Sequence, residues 1–236
     1  MISEKSIGGY FELELFNAKK FHENAIALNT ARNAFEYVLK AKQYTKAYVP
    51  YFTCSAMIEP LVRNGIAYSF YHVNENFEPK FDFSTIEPDA AFLYTNYFGL
   101  KDLFISDLKL QCKNLIVDNA QSFFSKPLEG IDTFYSPRKF FGLPDGAYLY
   151  TDVLLNEDLE RDTSITRCNH LLKRIDLSAE EGYADFLKSD EDLVNNPIRR
   201  MSHLTSKLLS TIPYEAIAAI RKRNFNYLHN TLKSTN

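Results

Sequence analysis

Two hydrophobic patterns alternate along the chain up to about residue 150. In residues 30–43, "TARNAFEYVLKAKQ", apolar side chains recur with a period of about 3.6, which predicts a helix. Asn29 and Thr30 mark its start, because both residue types cap helix N-termini. Short apolar runs predict strands in "KAYVP", "IAYSFYHV", "DAAFLYTNYFG", "KNLIVD" and "AYLYT". Further helices are predicted in "CSAMIEPLVRNG", which Pro60 weakens, and in "FISDLKLQCK".

This alternation predicts an α/β domain with a mostly parallel sheet that is covered by helices. Ligands of such sheets bind beyond the carboxyl ends of the strands. Asp118 closes the strand "NLIVD" and Asn96 follows "AFLYT", so both are expected at that edge. The segment "AYLYT", after Gly146, is expected to form an edge strand that leads out of the site.

The composition changes at about Leu154, where the sequence becomes more polar and richer in residues that favour helices. "SITRCNHLLKRIDLSAEEGYADFLKSDEDL" predicts one or two exposed helices, and "IRRMSHLTSKLLSTI" and "YEAIAAIRKRNFNYLHNTL" predict two more. We therefore predict a large α/β domain over residues 1–210, followed by a helical C-terminal segment over 211–236.

Composition argues against several classes of partner. A net charge of −3 disfavours nucleic acid, because phosphate binding usually shows as a basic excess. The three cysteines and five histidines have no metal-ligand spacing. No window approaches the ~20 apolar residues of a membrane span. Residues 1–16 contain acidic residues where a signal peptide would carry its apolar run. We expect a cytoplasmic protein that binds no nucleic acid, membrane or metal.

Three features of the predicted site suit one cofactor. The helix N-terminus at Thr30 and Ala31 offers free backbone amides and a positive dipole end, which favour phosphate. Asp118 supplies a carboxylate, and Lys139 supplies an amine in the loop "DTFYSPRKFFGLPDG". Pyridoxal phosphate needs a phosphate cradle, a lysine that forms the Schiff base and a carboxylate that keeps the ring nitrogen protonated. Aromatic neighbours and Arg138 would disfavour the ammonium form of a buried Lys139.

Six motifs occur in the same order as in one known family. They are "LNTARNAFEYVL" for a phosphate-binding helix start, "VPYFTCSAMIEPL" for P-x-F-T, "TNYFG" for V-H-x-Y-G, "VDNAQSFFSKP" for D-x-A-Q, "SPRKFFGLPDGAYLYT" for a lysine loop and "RRMSHL" for N-Y-R-M-S. In this respect the chain resembles the DegT/DnrJ/EryC1/StrS family, nucleotide-sugar aminotransferases of pyridoxal-phosphate fold type I. The similarity runs from about Ile7 to the last helix.

The resemblance implies a role for each matched residue. Lys139 would attach to the cofactor and move the α-proton, and Asp118 would pair with the pyridine nitrogen. Gln121 would contact the side of the ring that carries the hydroxyl. Thr30, Ala31 and Ser136 would hold the phosphate. The implied cofactor-binding set is Thr30, Ala31, Cys54, Asn96, Asp118, Gln121, Ser136 and Lys139.

The sequence departs from the family at four places. Cys54 lies where the family stacks an aromatic residue on the ring, and Phe134 lies where it has a phosphate-binding serine. Ile198 replaces an asparagine that reaches into the partner subunit's site. The chain ends where the family's small C-terminal domain begins, so we expect that domain to be absent or truncated.

The resemblance implies a homodimeric aminotransferase that moves an amino group from glutamate to a nucleotide-linked keto-sugar, in polysaccharide or lipopolysaccharide biosynthesis. A sugar dehydratase that uses the same cofactor is an alternative, which Lys139 disfavours because those relatives carry histidine there. A non-catalytic dimeric scaffold is another, which Cys54 and the missing domain favour. The structural alternatives are a surface position for Lys139, caps for Asp118 and Thr30, and a loop hydrogen bond for Gln121.

Overall fold

A computed structural model of the chain describes residues 9–16 and 19–232. Residues 1–8, 17–18 and 233–236 lie outside the described residues. Three predictions concern these residues in part: the first half of the N-terminal segment that was compared with a signal peptide, the start of the family resemblance, and the end of the predicted C-terminal segment.

The chain divides into two compact units. One comprises His22–Ser206, and the other comprises the described parts of Met1–Phe21 and Lys207–Asn236. The predicted partition into a domain over 1–210 and a terminal segment over 211–236 stays a prediction. The described helices include none that is long and apolar enough to cross a membrane.

Strands and helices alternate through most of the described chain. The strands are β1 (Ile26–Leu28), β2 (Lys46–Pro50), β3 (Ala67–Val73), β4 (Pro79–Lys80), β5 (Ala90–Thr95), β6 (Leu115–Asp118), β7 (Asp132–Tyr135) and β8 (Ala147–Tyr150). The helices are α1 (Ala31–Ala41), α2 (Glu59–Arg63), α3 (Asp102–Gln111), α4 (Asn169–Asp176), α5 (Ala179–Glu191), α6 (His203–Leu209) and α7 (Tyr214–Leu232).

All eight of these strands form one sheet, in the order β1-β8-β7-β6-β5-β2-β3-β4. The five strands from β7 to β3 are parallel, whereas β8 runs antiparallel to both β7 and β1, and β4 runs antiparallel to β3. Consequently β1 points the same way as the parallel strands. The ends of β1, β6 and β7 and the start of β8 therefore meet at one edge of the sheet.

The two faces of the sheet bury separate cores, because successive strand side chains alternate. Along β2, Ala47 and Val49 pack with α1 and α2, whereas Tyr48 packs with residues of α3. The helices contribute apolar stripes at helical spacing: Phe35, Val38 and Leu39 in α1, and Ile105 and Leu108 in α3. This arrangement confirms the predicted α/β class, with a mostly parallel sheet covered by helices and a helical C-terminal segment.

Two local predictions need correction, and one fully buried strand was not predicted. The segment "AYLYT" contributes β8, which is not an edge strand, because β1 pairs with its outer side. The single helix predicted over residues 54–65 is a 3₁₀ turn at Ser55–Met57 followed by α2, with Pro60 in the first helical turn, where its missing N–H has no intrahelical partner to lose. β7 is not predicted, since only four buried residues follow a long loop.

Candidate functional site

A cavity of about 390 Å³ opens at the edge of the sheet where the parallel strands end. Its wall is built from the start of α1, the loop after β2, the end of β6, the loop after β7, the start of β8 and part of α5. Six of the eight predicted cofactor-binding residues line it: Thr30, Ala31, Cys54, Asp118, Ser136 and Lys139. Residues far apart in sequence converge here because they follow neighbouring strands of one sheet.

The N-terminus of α1 forms one wall of the cavity. Thr30 has extended backbone angles (φ −147°, ψ 157°) and caps the helix, since its hydroxyl accepts from the Asn33 N–H at 3.2 Å. The first turn contains no acidic residue. Among the described residues, none accepts from the N–H groups of Ala31 and Arg32. This end of the helix is therefore suited to an anion.

Asp118 is buried at the carboxyl end of β6, which confirms its predicted place at a strand end. Its Oδ1 accepts from the Ala120 N–H at 2.8 Å, and no described residue donates to its other oxygen. Burial raises the pKa of Asp118, while the Ala120 amide and the charge of Lys139 act in the opposite direction. The carboxylate thus lacks a full set of partners on the side of the cavity.

Lys139 ends a 3₁₀ turn, Pro137–Lys139, and its backbone N–H donates to the Ser136 carbonyl at 3.2 Å. The residue is exposed, so the prediction of a buried amine is wrong. The two rings that were expected to bury it lie elsewhere. Phe140 and Phe141 pack on Phe123, with centroid separations of 5.9 and 4.9 Å, and neither lines the cavity.

A buried polar cluster supports the turn that follows the lysine loop. Asp145 accepts from the Arg167 Nε at 2.8 Å and from the Ser164 hydroxyl at 2.6 Å, and also from the Thr205 hydroxyl. The next residue, Gly146, lines the cavity with φ +106°, and a Cβ there would lie 2.9 Å from Thr205 Cγ2. Glycine at this position lets β8 begin directly against the cluster.

The remaining two predicted residues, Asn96 and Gln121, do not line the cavity. The Asn96 amide donates to Asp102 at 2.7 Å and to Asn119 at 2.9 Å. Gln121 Oε1 accepts from the N–H of Phe98 at 3.1 Å, which fits its structural alternative of a loop hydrogen bond. Their contacts with a cofactor stay predictions.

Sequence reasoning missed part of the wall. Phe186 and Asp190 of α5 line the cavity, although the helix was expected only to be exposed. Arg32 lines it as well. Arg138, which was expected as a cation near Lys139, also lines it. The repeat of Tyr183, Phe186 and Leu187 along the helix was the available signal, because residues three and four apart share a face.

No protein-family model matches the sequence, and no curated protein matches it. Among solved structures, the chain is similar to the sugar aminotransferase CalS13 from Micromonospora echinospora, with 14% identity and a TM-score of 0.41 over 54% of this chain and 41% of that one. It is also similar to NtdA from Bacillus subtilis with bound cofactor PMP, with 16% identity and a TM-score of 0.45 over 63% and 36%.

A third similar structure is DesV from S. venezuelae in complex with a ketimine intermediate, with 15% identity and a TM-score of 0.43 over 78% of this chain and 50% of that one. The chain spans between 36% and 50% of the length of these three proteins.

Proposed function

We propose that this chain binds pyridoxal phosphate and acts as an aminotransferase that uses glutamate to aminate a nucleotide-linked keto-sugar. The observation that carries the proposal is the cavity in which Lys139 and Asp118 lie beside the N-terminus of α1. The six motifs occur in the same order as in the nucleotide-sugar aminotransferases, and this resemblance supports amination of a nucleotide-linked sugar as the reaction. Homodimerisation, a cytoplasmic location and a role in polysaccharide or lipopolysaccharide biosynthesis belong to the same proposal.

The described residues fit the cofactor at three points. The buried Asp118 has one oxygen without a described donor and a raised pKa, so a protonated ring nitrogen would satisfy it. The cap at Thr30 and the N–H groups of Ala31 and Arg32 would hold the phosphate. Lys139 is exposed, and no described residue accepts a hydrogen bond from its amine. The cavity volume of about 390 Å³ lies in the usual range for small-molecule sites.

The residues of the site have distinct tasks in the proposed reaction. When bound, pyridoxal phosphate supplies an aldehyde that amines attack and a ring that stabilises negative charge on the substrate carbon. Lys139 Nζ removes the α-proton of the amino donor and returns it, as a general base and then an acid. The Asp118 carboxylate stabilises the proton on the ring nitrogen. Thr30 and the dipole of α1 keep the phosphate, and so the reacting group, in register with Lys139.

A non-catalytic scaffold is the second candidate, and two observations favour it. Cys54 stands in the cavity wall where the family stacks an aromatic ring. The side chains of Asn96 and Gln121 are engaged in hydrogen bonds outside the wall. A chain that had lost cofactor binding would retain the fold but not the reactivity of Lys139.

One experiment separates the two candidates. Adding pyridoxal phosphate to the purified protein should produce a visible absorption band, and borohydride should then fix the cofactor on the peptide that contains Lys139. Lys139→Ala should abolish the band. Lys126→Ala, at an exposed position outside this cavity, is the matched control and should retain it. No band in the wild type overturns the proposal and supports the scaffold.

A further inference from the structure

Three cations line the cavity in the described part of the chain: Arg32, Arg138 and Lys139. The proposed function uses the amine of Lys139 and only the backbone N–H of Arg32. The two guanidinium groups therefore have no task in it so far. They differ in how firmly the surrounding residues hold them.

Arg32 is locked in place. Its guanidinium pairs with Glu59, and both side chains are largely removed from solvent. The same carboxylate accepts from the N–H of Asn195 at 2.7 Å and from Arg63 at 3.4 Å. Since Glu59 is committed to several donors, a ligand that displaced it from Arg32 would disturb the packing of α1, α2 and the segment at Asn195.

Arg138 is held more loosely. Its Nη1 donates to Asp190 Oδ1 at 2.7 Å, but the Asp190 side chain is 54% exposed, whereas that of Arg138 is only 18% exposed. Ion pairs to an exposed carboxylate contribute little stability, so another carboxylate can replace Asp190 at small cost. The Phe186 ring lies 5.9 Å from the Arg138 guanidinium carbon and helps to keep the guanidinium at the wall.

The position of Arg138 suggests which carboxylate it receives. Arg138 directly precedes Lys139 in the 3₁₀ turn, and both residues line the same cavity. In an α-amino acid the amine and the α-carboxylate are bonded to one carbon. An amine delivered to the site of Lys139 therefore brings its carboxylate within reach of the neighbouring cation, and arginine binds carboxylates with two parallel hydrogen bonds.

We propose that Arg138 binds the α-carboxylate of the amino donor, and that the Asp190 carboxylate pairs with the Arg138 guanidinium when no donor is bound. The inference rests on the proposed function, because it assumes that an amino acid reacts at Lys139. It makes Arg138 a specificity-determining residue for the donor. It also means that the exposed carboxylate of Asp190, on α5, takes the place of the donor carboxylate in the empty site.

The test measures binding of glutarate, which has the two carboxylates of glutamate and no amine, to cofactor-loaded protein by isothermal titration calorimetry. Cofactor loading is followed separately by absorbance. Arg138→Gln should load normally but bind glutarate about ten- to a hundredfold more weakly. Arg138→Lys keeps the charge but cannot donate two parallel hydrogen bonds, so its affinity for glutarate should lie between those of the wild type and Arg138→Gln. Arg174→Gln, the same change at an exposed position on α4, is the control and should match the wild type.

The decisive variant is Asp190→Asn. The inference predicts that glutarate binds to it as tightly as to the wild type or more tightly, because a competitor for Arg138 has been removed. If Asp190→Asn weakens glutarate binding as much as Arg138→Gln does, the pair merely tethers α5 and the inference is overturned. It is equally overturned if Arg138→Gln binds glutarate normally. If the wild type does not load at all, the proposed function itself is wrong and this inference goes with it.

Discussion

The cluster behind the lysine loop yields a quantitative prediction for Arg167→Met. Arg167 lies between two buried carboxylates: its Nε donates to Asp145 at 2.8 Å and its Nη2 donates to Asp162 at 2.6 Å. All three side chains are buried. Methionine fills similar space but removes the only cation that contacts Asp145 among the described residues.

Removing one partner from a buried ion pair costs about 3–5 kcal/mol, because an uncompensated charge stays buried. Asp145 would keep its hydrogen bonds from Ser164 and Thr205, so the lower end, about 3 kcal/mol, is expected.

Urea unfolding followed by circular dichroism at neutral pH measures this loss of stability. Arg174→Met, at an exposed position, is the matched control and should change stability by no more than about 0.5 kcal/mol. The reasoning is refuted if Arg167→Met loses less than about 1 kcal/mol at neutral pH.

Three further perturbations test other parts of the structure. Burial lowers the pKa of His22 to about 4, so as the pH falls the histidine is protonated in the unfolded chain before it is protonated in the folded protein. The free energy of unfolding should therefore fall by about 3 kcal/mol between pH 6.5 and 4. In urea titrations, His22→Gln should lack this loss. Gly146→Ala places a Cβ at φ +106° and 2.9 Å from Thr205 Cγ2, so it should cost about 1–3 kcal/mol and weaken cofactor uptake measured by absorbance; normal uptake would contradict this. Thr30→Ala should lose about 1 kcal/mol of stability with the cap to Asn33, whereas Thr30→Ser should retain it.

Much of the fold can be predicted because its elements follow strong local rules. β2 lies at the predicted residues Lys46–Pro50, and α1 begins after the predicted cap, Thr30. The failures occur where partners distant in sequence decide the outcome. β7 is only four residues long and is defined by pairing with β6 and β8, and the inner position of β8 depends on the three residues of β1.

The candidate site shows the same division. Residues at strand ends or at a helix start, such as Asp118 and Thr30, can be placed from the sequence, because the topology of a parallel sheet brings such positions together. The exposure of Lys139 could not be predicted from the sequence, since it depends on where the rings of Phe140 and Phe141 pack. The contribution of Asp190 also depends on the docking of α5, which apolar spacing alone does not specify.

The central claim is that Lys139 and Asp118 hold one pyridoxal phosphate between them. A crystal structure of the protein grown with pyridoxal phosphate tests it most directly. We expect continuous density from Lys139 Nζ to the cofactor, with the ring nitrogen in hydrogen-bond contact with Asp118 and the phosphate on the N–H groups of Ala31 and Arg32. Cofactor bound elsewhere, or a ring in the cavity whose nitrogen contacts no carboxylate, would contradict it.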